Sequence, residues 1–376
     1  MVTAQRFIDR IFGSILVVLV FALSRLFAWI HGKKAKSQTP TIAVIKLWAV
    51  GDSVVLLPTI KALRERYPGA KIDVFARKRN AAVFECTDYI NRIILFEPEN
   101  IFKIISSFRR YDYSIDSEPY LNISALLSFW LATDRIGFDH STRALLYTKK
   151  IKFSRKHLVM QSYLEMAAIL GGKYTKDTLV RLKTGKAEIS SIDQFLKRNK
   201  TTPKLIGICI GVAESVKSRE WPSENFAALA DKIIEKYHQK IVFIGSNNEK
   251  EMIAQVLNQM KHRDWTIDSS GQTNLKEMFE LVSRCHLFVS NDTGPMHVAA
   301  AQGCRTIGLF GPNTPALWAP FGKNNISIYK KISCSPCIRN EYGIMPECKY
   351  GKNNSCMKAI TVNDVMAAVT KLSQSK

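Results

Sequence analysis

The chain has 376 residues, of which 46% are apolar and 23% are charged. This composition is typical of globular proteins, and it excludes an intrinsically disordered chain, a collagen and a polytopic membrane protein. At about 150 residues per domain, the length predicts two domains and an additional segment. Lys and Arg outnumber Asp and Glu by 54 to 32, which gives a formal net charge of +22. Such a charge favours nucleic acid, anionic lipid or a phosphorylated substrate as a partner.

The amino-terminal region contains an apolar segment, residues 11–30, whose single charge is Arg25. As a helix, it would be about 30 Å long, close to the hydrocarbon thickness of a bilayer. We predict that residues 1–31 form a membrane-associated helix, either spanning or deeply inserted. An alternative is a helix lying in the interface with Trp29 at headgroup level. A cleaved signal peptide fits less well, because the apolar run is too long. The lysines that follow favour a cytoplasmic location for the rest of the chain.

After a polar linker, short β-branched runs alternate with helix-length segments, a pattern typical of a parallel sheet covered on both faces. We predict a first Rossmann-like domain over residues 40–172 and a connection over residues 173–203. The predicted strands of this first half are residues 41–47, 71–76, 92–96, 111–116 and 134–138.

The same alternation starts again at residue 204, which predicts a second Rossmann-like domain over residues 204–360 and a carboxyl-terminal helix over 361–376. Its predicted strands are residues 204–211, 240–245, 286–291 and 305–310. The fold class is therefore α/β, with two doubly wound domains that we expect to face one another across a cleft. Ligands of such folds bind at the carboxyl ends of the strands.

The first candidate catalytic motif is Gly51-Asp52-Ser53, between a predicted strand and a predicted helix. Gly51 allows a tight turn and close approach of a ligand. The Asp52 carboxylate is placed to accept a proton from a substrate hydroxyl. The alternative is that Asp52 only caps the helix, a role for which Asp is favoured.

A second candidate motif is the strand-to-helix turn around Asp292, Thr293 and Gly294, followed by Pro295. The free N–H groups of such a turn, with the helix dipole, form an anion site suited to a diphosphate. The alternative is an ordinary turn with no ligand. His297 lies in the first helical turn, where core packing is as reasonable as ligand contact.

Two loops of the second half add polar candidates. The loop after its first strand carries Ser215, Lys217 and Arg219, and a basic side chain there could neutralise a departing phosphate; a solvated loop is the alternative, particularly for Lys217. Glu249 follows the next strand, where it could bind ribose hydroxyls or simply favour a helix amino end.

Four cysteines lie close together in the sequence near the carboxyl terminus, which makes a structural zinc site conceivable. The alternatives are free thiols or a labile disulfide, since a second C-x-x-C is lacking. The loop spans residues 334–356, and its cysteines are Cys334, Cys337, Cys348 and Cys356.

The sequence lacks the Gly-rich motifs of dinucleotide-binding and P-loop proteins, and it also lacks a D-x-D motif. A metal held by paired carboxylates at a sugar-nucleotide site is therefore disfavoured. No nucleic-acid recognition motif accompanies the positive charge, so we expect no nucleic-acid partner.

Three stretches taken together resemble glycosyltransferase family 9, the ADP-heptose:lipopolysaccharide heptosyltransferases. The resemblance covers roughly residues 41–369. The stretches that carry it are IKLWAVGDSVVLLPTIKALRERYPGAKID, KSREWPSENFAAL and SNDTGPMHVAAAQGCRTIGLFGPNTPALWAPFG.

The resemblance implies a GT-B fold that binds the acceptor with its first half and the nucleotide sugar with its second. It implies an inverting transfer that uses no metal or other cofactor, from ADP-heptose to a lipid A-core glycolipid. Asp52 matches the family's general base, and the turn at 292–294 matches its diphosphate site. Arg219 replaces the usual phosphate-binding Lys, and Lys217 is a substitute candidate. The expected location is the cytoplasmic side of the inner membrane, with the membrane surface as a further partner.

The resemblance leaves two alternatives open. The first is a family 9 transferase that uses another nucleotide sugar for a cell-surface glycan. The second is a non-catalytic, membrane-tethered protein that binds a nucleotide sugar.

Overall fold

The computed structural model describes residues 7–26, 39–201, 204–348 and 354–374. It divides into two compact units. The first unit comprises residues 1–175 and 339–344, and the second comprises residues 176–338 and 345–376.

The first unit is built on a six-stranded parallel sheet with the order β3-β2-β1-β4-β5-β6. Its central strand β1 is almost entirely buried because helices cover both faces of the sheet, as its apolar sequence predicts. The strands are β1 Thr41–Ile45, β2 Lys71–Ala76, β3 Arg92–Leu95, β4 Tyr111–Asp116, β5 Ala132–Phe138 and β6 Lys149–Ile151. The helices are α1 Ser14–Leu26, α2 Val50–Arg66, α3 Lys78–Glu85, α4 Ile101–Ile105, α5 Asn122–Leu131 and α6 Val159–Ala168.

The second unit repeats this plan with the sheet order β12-β11-β10-β7-β8-β9. Its main apolar cluster includes side chains from the strands and from the last helix of the chain. The strands are β7 Leu205–Cys209, β8 Ile241–Phe243, β9 Thr266–Asp268, β10 Cys285–Asn291, β11 Arg305–Phe310 and β12 Ile326–Tyr329. The helices are α7 Lys186–Arg198, α8 Ser223–Tyr237, α9 Lys250–Gln259, α10 Leu275–Ser283, α11 Gly294–Gln302, α12 Pro315–Trp318, α13 Ser355–Lys358 and α14 Val362–Gln374.

The predicted pair of parallel sheets is confirmed, and the structure adds detail that the sequence pattern did not reveal. The edge strands β6, β9 and β12 are only three or four residues long, too short to show a clear periodicity. The segment 173–203, predicted as a connection, contains the helix α7, which packs on α10 within the second unit.

The amino-terminal segment differs most from its prediction. A short π-helix, Asp9–Gly13, leads into α1, and the prediction of a membrane-spanning helix is wrong for the residues that are described. No helix among them is both long and apolar enough to cross a bilayer. Two parts of the predicted helix, residues 1–6 and 27–31, lie outside the described ranges.

The reason is that one side of this segment is docked on the first unit. Asp9 accepts hydrogen bonds from the backbone N–H groups of Asn122 and Ile123 at the start of α5. Val17 is fully buried in a cluster that includes Leu146 and Tyr147. The apolar run therefore serves in part as a packing face of a surface helix.

Candidate functional site

The candidate base, Asp52, lies on the first turn of α2, just beyond the carboxyl end of β1. The turn is entered through Ala49, whose φ of 62° lies in the left-handed region that side chains rarely adopt. Ala49 is the N-cap residue, and Asp52 is the third residue of the helix. Asp52 therefore does not serve as the N-cap, and its side chain remains 24% exposed.

The Asp52 carboxylate forms an ion pair with a buried lysine. Lys46 is fully buried, and its Nζ lies 3.4 Å from Asp52 Oδ2 and 3.5 Å from Glu118 Oε2. The same ammonium donates to the hydroxyl of Tyr163 at 3.4 Å. A buried charge must be compensated by an opposite charge. Lys46 is therefore paired with two carboxylates, the partly exposed one of Asp52 and the buried one of Glu118.

Glu118 follows β4 and fixes the backbone of the loop that leads to Asp52. Its Oε1 accepts the N–H groups of Leu47 at 2.7 Å and Trp48 at 2.9 Å. The neighbouring strands β1 and β4 thus place one carboxylate and its lysine at the same edge of the sheet.

A second ion pair supports Glu118. Arg143 Nη2 lies 2.6 Å from Asp116 Oδ2, both side chains being fully buried, and Arg143 Nη1 donates to the carbonyl of Glu118. The hydroxyl of Tyr147 donates to Asp116 at 2.6 Å. These contacts leave little freedom for the chain around Glu118.

Burial and charge act in opposite directions in this network. Burial alone would lower the pKa of Lys46, but the Glu118 and Asp52 carboxylates and the hydrogen bond to Tyr163 raise it well above its ordinary value, so the lysine remains charged. Burial raises the pKa of Glu118, an effect that Lys46 opposes. Burial also raises the pKa of Tyr163, which remains a neutral hydroxyl.

The other two residues of this motif are interior. Gly51 is buried. Ser53 is fully buried, donates to the carbonyl of Ala49 at 2.8 Å and accepts from Asn80 Nδ2 at 2.8 Å. Ser53 therefore braces the turn, and of the three motif residues Asp52 alone presents a partly exposed side chain.

In the second unit, the turn after β10 gathers a compact polar group around Asp292. This side chain is only 5% exposed, and its Oδ2 lies 3.2 Å from Arg219 Nη1. The Arg219 Nη1 also donates to the Asp292 carbonyl at 3.0 Å, and Asn313 Nδ2 donates to Asp292 Oδ2 at 2.7 Å. Asp292 thus orients Arg219 beside the turn.

The helix α11 starts directly after this turn. Thr293 is its N-cap residue, but the side chain of Thr293 makes no capping hydrogen bond. Gly294 opens the helix and Pro295 follows it, as favoured for a first turn. The free N–H groups of this first turn, the helix dipole and the adjacent Arg219 make it a candidate anion site.

Asn291 braces this arrangement, a role that its position at the end of a strand did not reveal. Its Nδ2 donates to the carbonyl of Ile210 at 2.8 Å, and its Oδ1 accepts the N–H of Trp221 at 3.3 Å. Asn291 therefore joins the ends of β7 and β10 to the chain segment that carries Arg219.

The remaining candidates of the second unit have different surroundings. Glu249 accepts from the N–H and hydroxyl of Ser246 at 2.6 and 2.8 Å, as in helix capping. It also lies so close to Gly211 that a β-carbon there would fall 1.5 Å from its Oε1. His297 is buried with its ring near that of Trp318, which supports the packing interpretation.

Ser215 and Lys217 share the segment Glu214–Arg219 with Arg219, whose guanidinium contacts Asp292 of the turn at 292–294. Lys217 is exposed, and its carbonyl accepts from Asn354 Nδ2 at 3.1 Å. Arg219 is therefore the better-supported candidate for binding a phosphate.

The four clustered cysteines line a single small cavity of about 20 Å³. Among the described residues, however, no three metal-ligating side chains lie close enough together to hold an ion. Of the three interpretations that the sequence leaves open for these cysteines, the zinc site gains no support from the described residues. Part of the loop, residues 349–353, lies outside the described ranges.

Comparison with known proteins decides the family. The family model described as glycosyltransferase family 9 (heptosyltransferase) matches residues 101–345, more than half of the chain. The chain belongs to glycosyltransferase family 9. This family 9 chain is accordingly an enzyme, a glycosyltransferase, as the resemblance predicts.

Curated relatives align with the family 9 chain over most of their length. The lipopolysaccharide core heptosyltransferase OpsX of Haemophilus influenzae is 23% identical over 349 residues, which cover 88% of this chain and 96% of the relative. The lipooligosaccharide heptosyltransferase 2 of Haemophilus ducreyi is 27% identical over 299 residues, which cover 74% and 85%.

Solved structures share the fold of the family 9 chain. A glycosyltransferase of family 9 from Veillonella parvula superposes with a TM-score of 0.72 at 23% identity, covering 89% of this chain and 99% of the other. The ADP-heptose lipopolysaccharide heptosyltransferase II of E. coli gives 0.70 at 24% identity, covering 88% and 98%. The two parallel sheets are therefore GT-B-like.

Proposed function

We propose that this glycosyltransferase transfers a heptose from ADP-heptose to the inner core of lipopolysaccharide, with inversion at the anomeric carbon and without a metal. The observation that carries the proposal is the partly exposed Asp52 carboxylate held by the buried Lys46 at the end of β1. The names of the relatives support the sugar and the acceptor.

In the proposed reaction, Asp52 accepts the proton of an acceptor hydroxyl as the hydroxyl oxygen forms a bond to the anomeric carbon of the donor. The bond from that carbon to the diphosphate breaks, and ADP leaves with the bonding electrons. Inversion follows from this single displacement. Lys46 keeps the carboxylate in one orientation, so that little reorganisation is needed when the proton moves.

The second unit is proposed to bind the donor. The N–H groups at the start of α11 and the Arg219 guanidinium would hold the diphosphate and stabilise the charge that develops on it. Arg219 would then donate hydrogen bonds to both Asp292 and the ligand, which is possible because a guanidinium has five N–H donors. The placement of Glu249 against Gly211 is compatible with a ribose contact in addition to its capping role.

The test is Asp52→Asn, which keeps the size of the side chain and removes its basicity. We expect turnover with ADP-heptose and a core acceptor to fall by about 10²–10⁴-fold, while ADP binding measured by calorimetry is unchanged. The matched control is Glu65→Gln on the same helix, where the carboxylate is exposed and pairs with Lys61. A variant at Asp52 with near-normal turnover would exclude it as the base.

A panel of ADP-, UDP- and GDP-sugars tests the donor separately. We expect turnover with ADP-heptose to exceed that with the others. Turnover with another nucleotide would instead indicate a different cell-surface glycan as product, and binding without transfer to any acceptor would contradict the proposed reaction.

A further inference from the structure

The outward side of the amino-terminal helix is unusually apolar for a protein surface. Nine large apolar side chains of this segment are between 42% and 66% exposed. They are Phe7, Ile8, Ile11, Phe12, Ile15, Leu16, Val18, Leu19 and Leu23. Contiguous apolar patches of this kind on a soluble surface mark an interaction site.

The opposite side of the same helix is firmly attached to α5. A β-carbon at Gly13 would lie 2.8 Å from Cβ of Asn122, so the two backbones approach closely there. Val17 and Phe21 continue the contact one and two turns later. With Asp9, the attached residues recur every fourth position and define one face of a helix. The exposed apolar side chains are left on the remaining faces.

A second group of exposed apolar side chains lies beside the far end of α5. Phe102 is 83% exposed, and Phe108 packs against Trp130 with ring centroids 4.6 Å apart and ring planes tilted by 55°. The indole of Trp130 donates to the carbonyls of Ile104 and Ile105 at 3.1 and 3.2 Å, which attaches α4 to α5.

Arginines connect the two apolar groups. Arg109 lies 5.7 Å from the ring centroid of Phe108 and 5.1 Å from that of Phe129. Phe129 packs in the same cluster as Phe21 of α1, whose ring lies 5.3 Å from the Arg25 guanidinium. We name this continuous surface of α1, α4 and the end of α5 the apolar face.

The charge of the apolar face is positive. Arg10, Arg25 and Lys103 are exposed, and neither these three nor Arg109 forms an ion pair with any described residue. The acidic side chain of the segment, Asp9, is turned toward the start of α5. A basic rim around an apolar patch complements a bilayer that contains anionic lipid.

We propose that the apolar face is a membrane-docking surface, on which α1 lies in the headgroup region of an anionic bilayer without crossing it. A spanning orientation would detach α1 from α5, leave the N–H groups of Asn122 and Ile123 without their acceptor and place the Asp9 carboxylate in hydrocarbon. Pairing with a second copy would bring two basic rims together, which costs energy because like charges repel.

Docking goes beyond the proposed function but serves it, because an enzyme held at the bilayer meets a glycolipid acceptor at a raised local concentration. The docking itself needs neither donor nor acceptor, so it is measured independently of transfer.

The test is flotation of the full chain with vesicles of phosphatidylethanolamine and phosphatidylglycerol. The variant Phe12→Ser/Leu19→Ser changes two exposed side chains of the apolar face and should lower the partition coefficient about tenfold or more. The control is Ile189→Ser, an exposed apolar side chain on α7 of the second unit, which should bind as the original chain does. All three should have the same thermal transition and the same turnover on a detergent-dispersed acceptor.

Further measurements can overturn the proposal. Binding should weaken with salt and on pure phosphatidylcholine vesicles, because the basic rim contributes to it; equal binding to both vesicle types would contradict the role of charge. Retention in alkaline carbonate would show a spanning orientation instead. If the double variant binds vesicles normally but converts a dimer to a monomer in light scattering, the apolar face is a contact between copies.

Discussion

The two units have the same sheet topology but build different sites at the same place in it. In each, the first strand lies beside the fourth, and the strand order changes direction between them. This switch point is where ligands of doubly wound folds bind. Asp52 and Glu118 follow the two switch-point strands of the first unit, and Gly211 and Asp292 follow those of the second.

The chemistry at the two switch points differs in a way that suits two roles. In the first unit, the fully buried Lys46 pairs with Asp52 and Glu118, and the Asp52 carboxylate remains partly exposed. In the second unit, a guanidinium and an uncapped helix start form a positive site. The comparison shows that the scaffold sets where a site lies, whereas the side chains of the connecting loops set its chemistry.

The largest expected effect is a loss of kcat together with weaker ADP binding, a combination that distinguishes the site of the second unit from that of the first. Arg219→Gln removes the charge proposed to stabilise the departing diphosphate, so we expect kcat to fall about 10²–10³-fold, with weaker ADP binding. Asp52→Asn should instead leave ADP binding unchanged. Steady-state kinetics with calorimetry measures both, and Arg284→Gln, which removes a partly exposed ion pair of the second unit, is the control. Unchanged ADP binding in Arg219→Gln would argue against its role.

An effect of comparable size is expected for the stability contribution of the buried lysine in the first unit. Lys46→Met leaves Glu118 and Asp52 without their cation, and breaking a buried pair in this way costs about 3–5 kcal/mol. Denaturant unfolding should show this loss, with partial recovery in Lys46→Met/Glu118→Gln. Lys61→Met, which removes the partner of the exposed Glu65 carboxylate, should cost less than about 1 kcal/mol. A small loss for Lys46→Met would mean that water reaches the network.

A smaller effect concerns the helix that only the first unit carries. Gly13→Val places a side chain where even a β-carbon would meet Asn122 at 2.8 Å, so α1 should detach from α5. Limited proteolysis should then cut the segment faster, while the core of the unit keeps its stability. Ala22→Val, at an exposed position of the same helix, should leave the cleavage rate unchanged.

The smallest expected effect is a pH-dependent one in the second unit. The hydrogen bond from Lys330 and those from Thr361 lower the pKa of Asp364 to about 2. Because the folded value lies below the unfolded one, the stabilisation is present above about pH 4 and is lost as the pH falls toward 2. Asp364→Asn should cost about 1 kcal/mol near pH 7 and only a small part of that near pH 2, where the folded carboxyl is about half protonated. An equal loss of stability at the two pH values would show that the contribution of Asp364 does not depend on its negative charge.

The alternation of apolar strands with helix-length segments determined the fold class, because strands buried on both faces need continuous apolar runs. The resemblance pointed to Asp52, and the strand-to-helix pattern to the turn at 292–294. Residues that act from the interior could not be identified this way. Lys46 and Glu118 are far apart in the sequence, and nothing local to either shows that they meet beneath Asp52.

The amino-terminal segment is a second case in which the sequence alone did not decide the structure. Its length and hydropathy were compatible with several arrangements, since apolar side chains bury equally well in lipid or against protein. Tertiary contacts decided between these arrangements. Asp9 accepts a hydrogen bond from the start of α5, and the missing side chain at Gly13 leaves room for Asn122. Hydropathy reports how much apolar surface a segment carries, whereas the fold decides which part of that surface is already covered.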